Sequence, residues 1–562
     1  MKRLFPSLAL LILCAVGLRP VDSQSERSLA DWAPADSEAL LTLNLENPDA
    51  ALNRLNVGAF VGAYLQPTRP PVSSALPFDA FVPLDMLDLE TASFARLVLP
   101  WLGDSLAVAY RTFHLPAGVN PGDVLLILPT RDFFAAAAGL SSAVEGQDLL
   151  RSEISPVAAV YLGDRSAIAL TPSVVLIGSE AMVRDALAVG EGQSPSLAET
   201  DDYQAVLGAL PDNSDLSLFA RSEAAASALP ALLSLDGEAE PLLASYGAVL
   251  NARTGVPLPA GLLMQGDAEA LGVALDLSVS RTSALTASVA LLAPDAVIHE
   301  AANFQPDVLN AVPRSAMLVF STADAALLAD AILAALPYSA SGPGLLSALP
   351  LQVFLTSPPP DPKEVEFVLD GLLSALEANG VHWDDVLTQL SGSALVVLLP
   401  RPNNPLPVTL AQADILLAVE SVDADALAES VNQLLTILQL PVDRLTADDG
   451  SVRYQVTVEG ADEPVLQFGT SNGLFLLGTG RSIDEAQRAL AGDNRLIDQP
   501  RWETAGAPAP GLYLDMDRLY NTFLPTAGGA TAGPVNRIGV TGDRTDDGLY
   551  QLSATVVVTL TN

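Results

Sequence analysis

The chain has 562 residues, with 66 acidic and 27 basic side chains, three histidines and one cysteine, for a formal net charge of −39. That length favours about two to four domains over one, and half of the residues are hydrophobic, ample for packed cores. Intrinsic disorder is excluded as the main state, and so is an intrachain disulfide scaffold. The charge imbalance comes from missing base: charged residues make up only 17% of the chain, and Lys363 is the one lysine beyond the N-terminal segment. A surface so poor in cations repels phosphate backbones, which excludes nucleic acid as a partner.

The first residues, MKRLFPSLALLILCAVGLRPVDSQS, open with Lys2 and Arg3 and continue through a nearly unbroken apolar stretch from Leu4 to Leu18. Arg19-Pro20 ends it, and small polar residues around Ser23 and Ser25 offer a cleavage point. This is the layout of a secretory signal, and about 15 apolar residues fall short of the roughly 20 that span a bilayer. No later segment reaches that length without a charge, Pro or Gly. The expectation is a signal peptide over 1–23 and an exported mature chain, periplasmic or extracellular, with no transmembrane span. Cys14 ends a lipobox-like Leu11-Ile12-Leu13 run, but Leu13 stands where a small residue is wanted, and the apolar run continues through Ala15 and Val16. Plain cleavage is therefore preferred to lipoprotein anchoring through Cys14. It also removes the only thiol, and with it cysteine catalysis and cysteine–metal sites.

Apolar β-type runs then alternate with helical patterns. Ala39–Leu45, Val124–Leu128, Leu216–Ala220 and Ile415–Val419 read as strands, each followed by Asp, Asn or Ser and a helical pattern. Val273, Leu275, Leu277 and Val279 alternate with Asp276, Ser278 and Ser280. Pro362–Asn379 reads as a helix stopped by Gly380. Ser482 and Glu485 have capping-box spacing before a helix closed by Gly492. The last strand alternates Tyr550, Leu552, Ala554, Val556, Val558 and Leu560 with Gln551, Ser553, Thr555 and Thr559. Such alternation predicts largely antiparallel sheets with helices packed on one face.

Landmarks recur in order. Ala33-Pro34-Ala35-Asp36 before ALLTLNL matches Val312-Pro313-Arg314-Ser315 before AMLVFST, and Gly103 in WLGDSLAVAYR matches Gly392 in QLSGSALVVLLPR. Asp132 matches Asp423, Gly178 matches Gly478, and LSLFARS at Leu216 matches LYLDMDR at Leu512. Gly266-Asp267 matches Gly542-Asp543. The fold class expected is α+β, as two tandem duplicated domains over 29–292 and 302–562 with a joint near Pro294–Pro306.

The opening PADSEALLTLNL strand, the LGDSLAVA strand and the run VVLIGS…VRDAL…SLAETDDYQAVLGALPDNSDLSLFARSE together resemble the exported bacterial family catalogued as domain of unknown function 3352. The resemblance spans essentially the whole mature chain. It implies an exported, duplicated α+β protein with no established activity, and no catalytic residues to carry over.

The common chemical motifs fail one by one. Lys363 lies in SPPPDPKEV, not a phosphate-gripping loop, and Gly478-Thr479-Gly480 is half a dinucleotide fingerprint whose third glycine falls on Ile483. Gly103-Asp104-Ser105 lacks the second glycine of a nucleophile elbow, Ala107 standing there. His114, His299 and His382 are far apart, without the spacing that puts two ligands on one helical face. Asp543–Gly548, with Asp546 and Asp547, begins like a calcium loop, but Ala554 replaces the closing Glu, so an acidic hairpin turn is preferred; Thr446–Gly450 reads the same way. Trp32, Trp101, Trp383 and Trp502 are scattered and read as core or edge anchors.

No catalytic, cofactor-binding or metal residue is assigned, and no cofactor is expected. The leading expectation is a non-enzymatic binding or structural protein of the envelope or extracellular space, its partner a protein or a hydrophobic small molecule. The alternative is a carrier of a hydrophobic ligand such as a lipid, from the mean hydropathy of +0.35; a hydrolase of unrecognised type ranks below it. N-terminal sequencing of exported material should begin near residue 24, and an intact Met1 or a diacylglyceryl-modified Cys14 would defeat the plain-signal reading.

Overall fold

The segment Ala394–Leu399 is apolar at every position, so as a strand it is stable only with a core on each face. The computed structural model builds a sheet around strands of this kind in each half of the chain. It describes residues 28–44, 98, 100–112, 123–143, 150–152, 158–162, 167–211, 214–221, 224, 269–278 and 283–292 of the first half. In the second half it describes 304–326, 328–329, several positions between 370 and 380, 382–390, 392–401, 413–437, 440–446, 452–457, 464–508, 511–523, 535–544 and 549–558. The expected leader 1–23 with Cys14, most of the joint, His114, His299 and Lys363 lie outside the described residues.

In chain order the first half contributes β1 (Ala39–Asn44), β2 (Ser105–Tyr110), β3 (Val124–Pro129), α1 (Phe133–Ala143), β4 (Leu150–Ser152), β5 (Ala159–Leu162), β6 (Ala167–Leu170) and β7 (Val174–Gly178). It continues with α2 (Glu180–Gly190), α3 (Asp201–Leu207), β8 (Leu216–Arg221), β9 (Ala270–Ser278) and β10 (Ser283–Leu292). The second half contributes β11 (Leu318–Thr322), α4 (Trp383–Gln389), β12 (Ala394–Leu399), β13 (Asp414–Glu420), α5 (Ala424–Ile437), β14 (Val442–Thr446), β15 (Val452–Val456) and β16 (Leu466–Ser471). It closes with β17 (Leu474–Gly478), α6 (Ser482–Leu490), α7 (Pro500–Thr504), β18 (Gly511–Asp515), α8 (Met516–Phe523), β19 (Val535–Arg544) and β20 (Leu549–Val558). Packing gathers β1 to β8, nearly all of β9 and the end of β10 into one unit and β11 to β20 into another.

The first sheet runs β10-β9-β8-β1-β2-β3-β7-β6-β5-β4, and its strands from β9 to β4 pair antiparallel. The second runs β20-β19-β18-β11-β12-β13-β17-β16-β15-β14, antiparallel throughout. The two orders correspond strand for strand. The chain is two tandem copies of one α+β fold.

Register tests the sequence matches. Pro34 bridges to Ser196 and Pro313 to Arg495. Asp132 and Asp423 each accept the backbone N–H three residues on, at 3.0 and 2.9 Å, and start a helix. Gly178 and Gly478 end β7 and β17 opposite Leu125 and Leu416. Those three pairs are equivalent; the other three need correction. Tyr110 stands opposite Ala39 as Leu398 stands opposite Leu318, so the counterpart of Gly392 is Asp104, one residue from Gly103. Ala220 and Leu514 face the same two residues, so Leu512 corresponds to Leu218 rather than Leu216. Gly272 lies opposite Phe219 as Gly539 lies opposite Tyr513, so β9 corresponds to β19, and the Gly266-Asp267 match to Gly542-Asp543 fails.

Helices cover both faces of the second sheet rather than one. Leu395, Val397, Leu399, Leu416 and Leu476 pack into a core with Ile483 and Ala486 of α6 and Trp502 of α7. Ala394, Val396, Leu398, Ile415 and Phe475 pack into another with Leu427 and Leu435 of α5. The polar face expected on the last strand is partly covered as well, since a Cβ on Gly506 would lie 3.1 Å from Thr555 Oγ1. The Ser482–Glu485 capping box does not form: Arg481 is the N-cap, and Ser482 is the first helical residue and fully buried. Gly492, at φ +94°, does follow the end of that helix, and Gly380, at φ +81°, ends a stretch in which described positions from Asp370 to Ala378 are helical.

The equivalent glycines let helices approach their strands. A Cβ on Gly272 would meet Val206 Cγ1 at 2.3 Å, a side chain that can turn, whereas one on Gly539 would meet the Ala505 carbonyl oxygen at 1.9 Å. Gly539→Ala should therefore cost more than Gly272→Ala in urea unfolding, within the roughly 1–3 kcal/mol of overpacking. Equal losses would contradict this account of the close approach.

Candidate functional site

Two polar clusters in the second unit bring charges together at strand ends. The first surrounds the Gly478-Thr479-Gly480 turn. Thr479 Oγ1 accepts the Ile415 N–H at 2.9 Å, and Gly480 takes φ +54°. Asp414, its side chain 4% exposed, accepts Arg401 Nε at 2.7 Å and the Arg481 backbone N–H at 3.2 Å. A Cβ on Gly480 would lie 2.2 Å from the Asp414 carboxylate. The positive end of α6, where a pyrophosphate would sit, thus already holds the chain's own anion. Gln467 completes the turn, donating to the Gly480 carbonyl at 3.1 Å and accepting from Arg453, which also pairs with Asp484 at 2.8 Å.

The second cluster surrounds Asp515, the last residue of β18, also 4% exposed. Its Oδ2 lies 3.1 Å from Arg501 on α7, 3.5 Å from Arg518 Nε and 3.5 Å from the Tyr513 hydroxyl. Its Oδ1 accepts the Arg518 backbone N–H at 3.1 Å, which caps α8. Arg518 also donates to the carbonyls of Arg314 and Ala316. Arg537, cross-strand from Asp515, donates to Thr504 Oγ1 at 2.9 Å, while its buried Nε has no hydrogen-bond partner among the described residues. Burial, then Asp515, pushes the Tyr513 hydroxyl well above the ordinary phenol range against the pull of Arg501, Arg537 and Arg518. Burial and the neighbouring Arg501 lower the Arg518 guanidinium, and burial with Asp515 raises Asp517.

The first unit has a simpler version of this pole. Arg221 and Asp515 occupy equivalent positions, their N–H groups donating to Glu38 and Met317 carbonyls at 2.7 Å each. Asp202 and Arg501 are the second residues of α3 and α7. The ion pair is therefore kept with its charges exchanged: Arg221–Asp202 at 2.6 Å in one copy, Asp515–Arg501 at 3.1 Å in the other. Beneath it the ring contact Tyr203–Phe219 at 5.2 Å matches Trp502–Tyr513 at 5.3 Å. Arg221 also donates to Ala35 and Ser37 carbonyls at 2.6 and 3.0 Å, as Arg518 does to Arg314 and Ala316. Sequence reading missed the exchange, because the LSLFARS–LYLDMDR match slips by two residues and sets Arg221 against Asp517.

The other candidates are dispersed. Asp104 is exposed and pairs with Arg131 at 3.4 Å, and Ser105 leads into a strand where a nucleophile elbow needs a helix. His382 is an exposed N-cap of α4. Asp543 is a β19 residue opposite Gln551, not a turn residue, while 545–548 and 447–450 lie outside the described residues. Trp101 and Trp502 are buried, Trp32 packs where a Cβ on Gly190 would intrude, and Trp383 is half-buried. Among the described residues no three His, Cys, Asp or Glu side chains group as metal ligands, and no helix is long and apolar enough to cross a membrane.

No protein-family model and no curated protein matches the chain. Among solved structures, crystal form I of TP0453 is 10% identical with a TM-score of 0.26, over 49% of this chain and 82% of that one. Crystal form III is 10% identical with a TM-score of 0.24, over 49% and 83%. Likeness at that level carries no argument about function.

Burial raises the Asp202 carboxyl, but hydrogen bonds from Arg221 and Thr200 and the Arg221 charge outweigh it and hold the group below the ordinary carboxylate value. Its stabilisation is therefore present above about pH 4 and is lost as pH falls through the lowered folded-state value; Asp202→Asn should flatten that acid limb. Asp202→Arg or Arg221→Asp alone should each cost about 2–3 kcal/mol, between exposed and buried pairs. The double exchange should recover only part, because Asp at 221 cannot serve the Ala35 and Ser37 carbonyls. A double variant with purely additive losses would refute the pairing.

Proposed function

We propose that the protein is an exported, non-catalytic binding or structural module of the cell envelope or extracellular space, in keeping with the resemblance to the domain of unknown function 3352 family. One observation carries the reading. The two copies keep strand order, ring contacts and helix-approach glycines, while their charged side chains are exchanged or replaced. A catalytic constellation needs its groups held to within about half an ångström. A binding scaffold needs only the frame, and its polar positions are free to diverge between copies. The N-terminal layout and the scarcity of cations support export and a partner other than nucleic acid.

The purified mature chain should show no turnover of chromogenic ester, phosphoester, glycoside or peptide substrates that tracks the protein through purification. Turnover abolished by one substitution would make it an enzyme. Thermal melts in EDTA, zinc and calcium should coincide. A calcium shift lost in Asp543→Ala or Asp547→Ala would make it a calcium-stabilised module instead.

A further inference from the structure

The duplication supplies an internal control for the Asp515 pole. Ala35 follows the bridging Pro34 as Arg314 follows Pro313. Ala270 lies opposite Arg221 as Arg537 lies opposite Asp515, and Ala224, three residues beyond Arg221, takes the place of Arg518. The first copy thus closes its pole with one exchanged Arg–Asp pair and alanines at three positions where the second copy has arginine. Arg518 has a structural task, the two carbonyls that Arg221 serves in the first copy. Arg314 and Arg537 take over no such task. Arg314 is exposed without an ion-pair partner among the described residues, and Arg537, besides donating to Thr504 Oγ1, buries an Nε–H that no group among the described residues accepts.

We propose that the Arg314–Arg501–Arg518–Arg537 pole of the second copy binds an oxyanion group, phosphate or carboxylate, which the equivalent pole of the first copy does not bind. Arg501 and Arg518 reach Asp515, Arg537 lies cross-strand from it and the Arg314 carbonyl accepts from Arg518. Four arginines thus gather at this pole in a chain with 27 basic residues in 562, and Asp515 is already neutralised by Arg501 and Arg518. The planar guanidinium fork matches the paired oxygens of a carboxylate or phosphate, and an oxygen within reach of Arg537 Nε would relieve its uncompensated burial. At a net charge of −39 the protein repels anions at long range, so recognition rests on these close contacts and not on steering.

The test is thermal melting and calorimetric titration of the full chain with inorganic phosphate, citrate and chloride at matched ionic strength. Phosphate or citrate should raise the melting temperature by several degrees over chloride, and the larger shift identifies the oxyanion class. Arg314→Ala, at an exposed position, and Arg537→Ala should each lose most of that shift and weaken the dissociation constant about tenfold, the loss of one charge-assisted contact. Arg184→Ala, on α2 of the first copy, should keep both. Identical melting in all three salts, or a shift undiminished in Arg314→Ala and Arg537→Ala, overturns the proposal. If Arg537→Ala melts early without ligand, Arg314→Ala decides alone. A negative result leaves the non-catalytic reading intact, since turnover tests that separately.

Discussion

A strand with apolar side chains at every position cannot leave either face in water, and this constraint organises both copies. In β12, Leu395, Val397 and Leu399 turn to one core and Ala394, Val396 and Leu398 to the other. Each buried Leu or Val contributes about 1.5–3 kcal/mol, so baring one face of such a strand would cost on the order of 5 kcal/mol. The helices must therefore divide between the faces: α5 lies over one, and α6 and α7 over the other. Where the helix comes closest to the sheet, the strand carries glycine, at 272 and at 539.

Sheets covered on both faces leave little room for charge except at strand ends. Asp414 opens β13 and Asp515 closes β18, each buried and each paired with an arginine. Each also accepts a backbone N–H at the start of a helix, from Arg481 and from Arg518. A buried carboxylate is tolerable only with partners of this kind. One local solution, a strand-end aspartate joining a guanidinium to a helix N-terminus, thus recurs at two places in the second unit. It explains why a turn that half-matches a nucleotide-binding fingerprint is filled from within.

Much of the frame was legible in the sequence. The apolar runs fall within a residue or so of β1, β3, β8 and β13, and Asp132 and Asp423 mark equivalent helix starts. What failed did so for definable reasons. In β8 and β18 the in–out pattern repeats every two residues, so a two-residue slip leaves it unchanged. In β2 and β12 both faces are apolar, so even a one-residue slip left no mismatch to reveal it. The last strand was matched to β9 because β9 and β20 both alternate, while the ladder aligns β9 with β19 through Gly272 and Gly539. One-sided coverage was inferred from the alternating outer strands, which do not represent the central ones. The arginine pole was illegible because its four arginines come from the turn before β11, α7, α8 and β19.

The two kinds of difference between the copies have different physical meanings. Exchanging Asp202–Arg221 for Arg501–Asp515 leaves the pole's net charge unchanged and satisfies the same burial with the polarity reversed. Such an exchange requires that both members change together, since either intermediate places like charges side by side. It also requires that another donor, Arg518 in the second copy, take over the carbonyls that Arg221 serves. Replacing alanine with arginine is another matter. At Ala270 the first copy shows that a small buried side chain is enough for the frame. Arg537, like the exposed Arg314, therefore adds charge and donors beyond what the frame asks, whereas Arg518 takes over the carbonyls that Arg221 serves. The exchange preserves what the pole is. The added arginines change what it can attract.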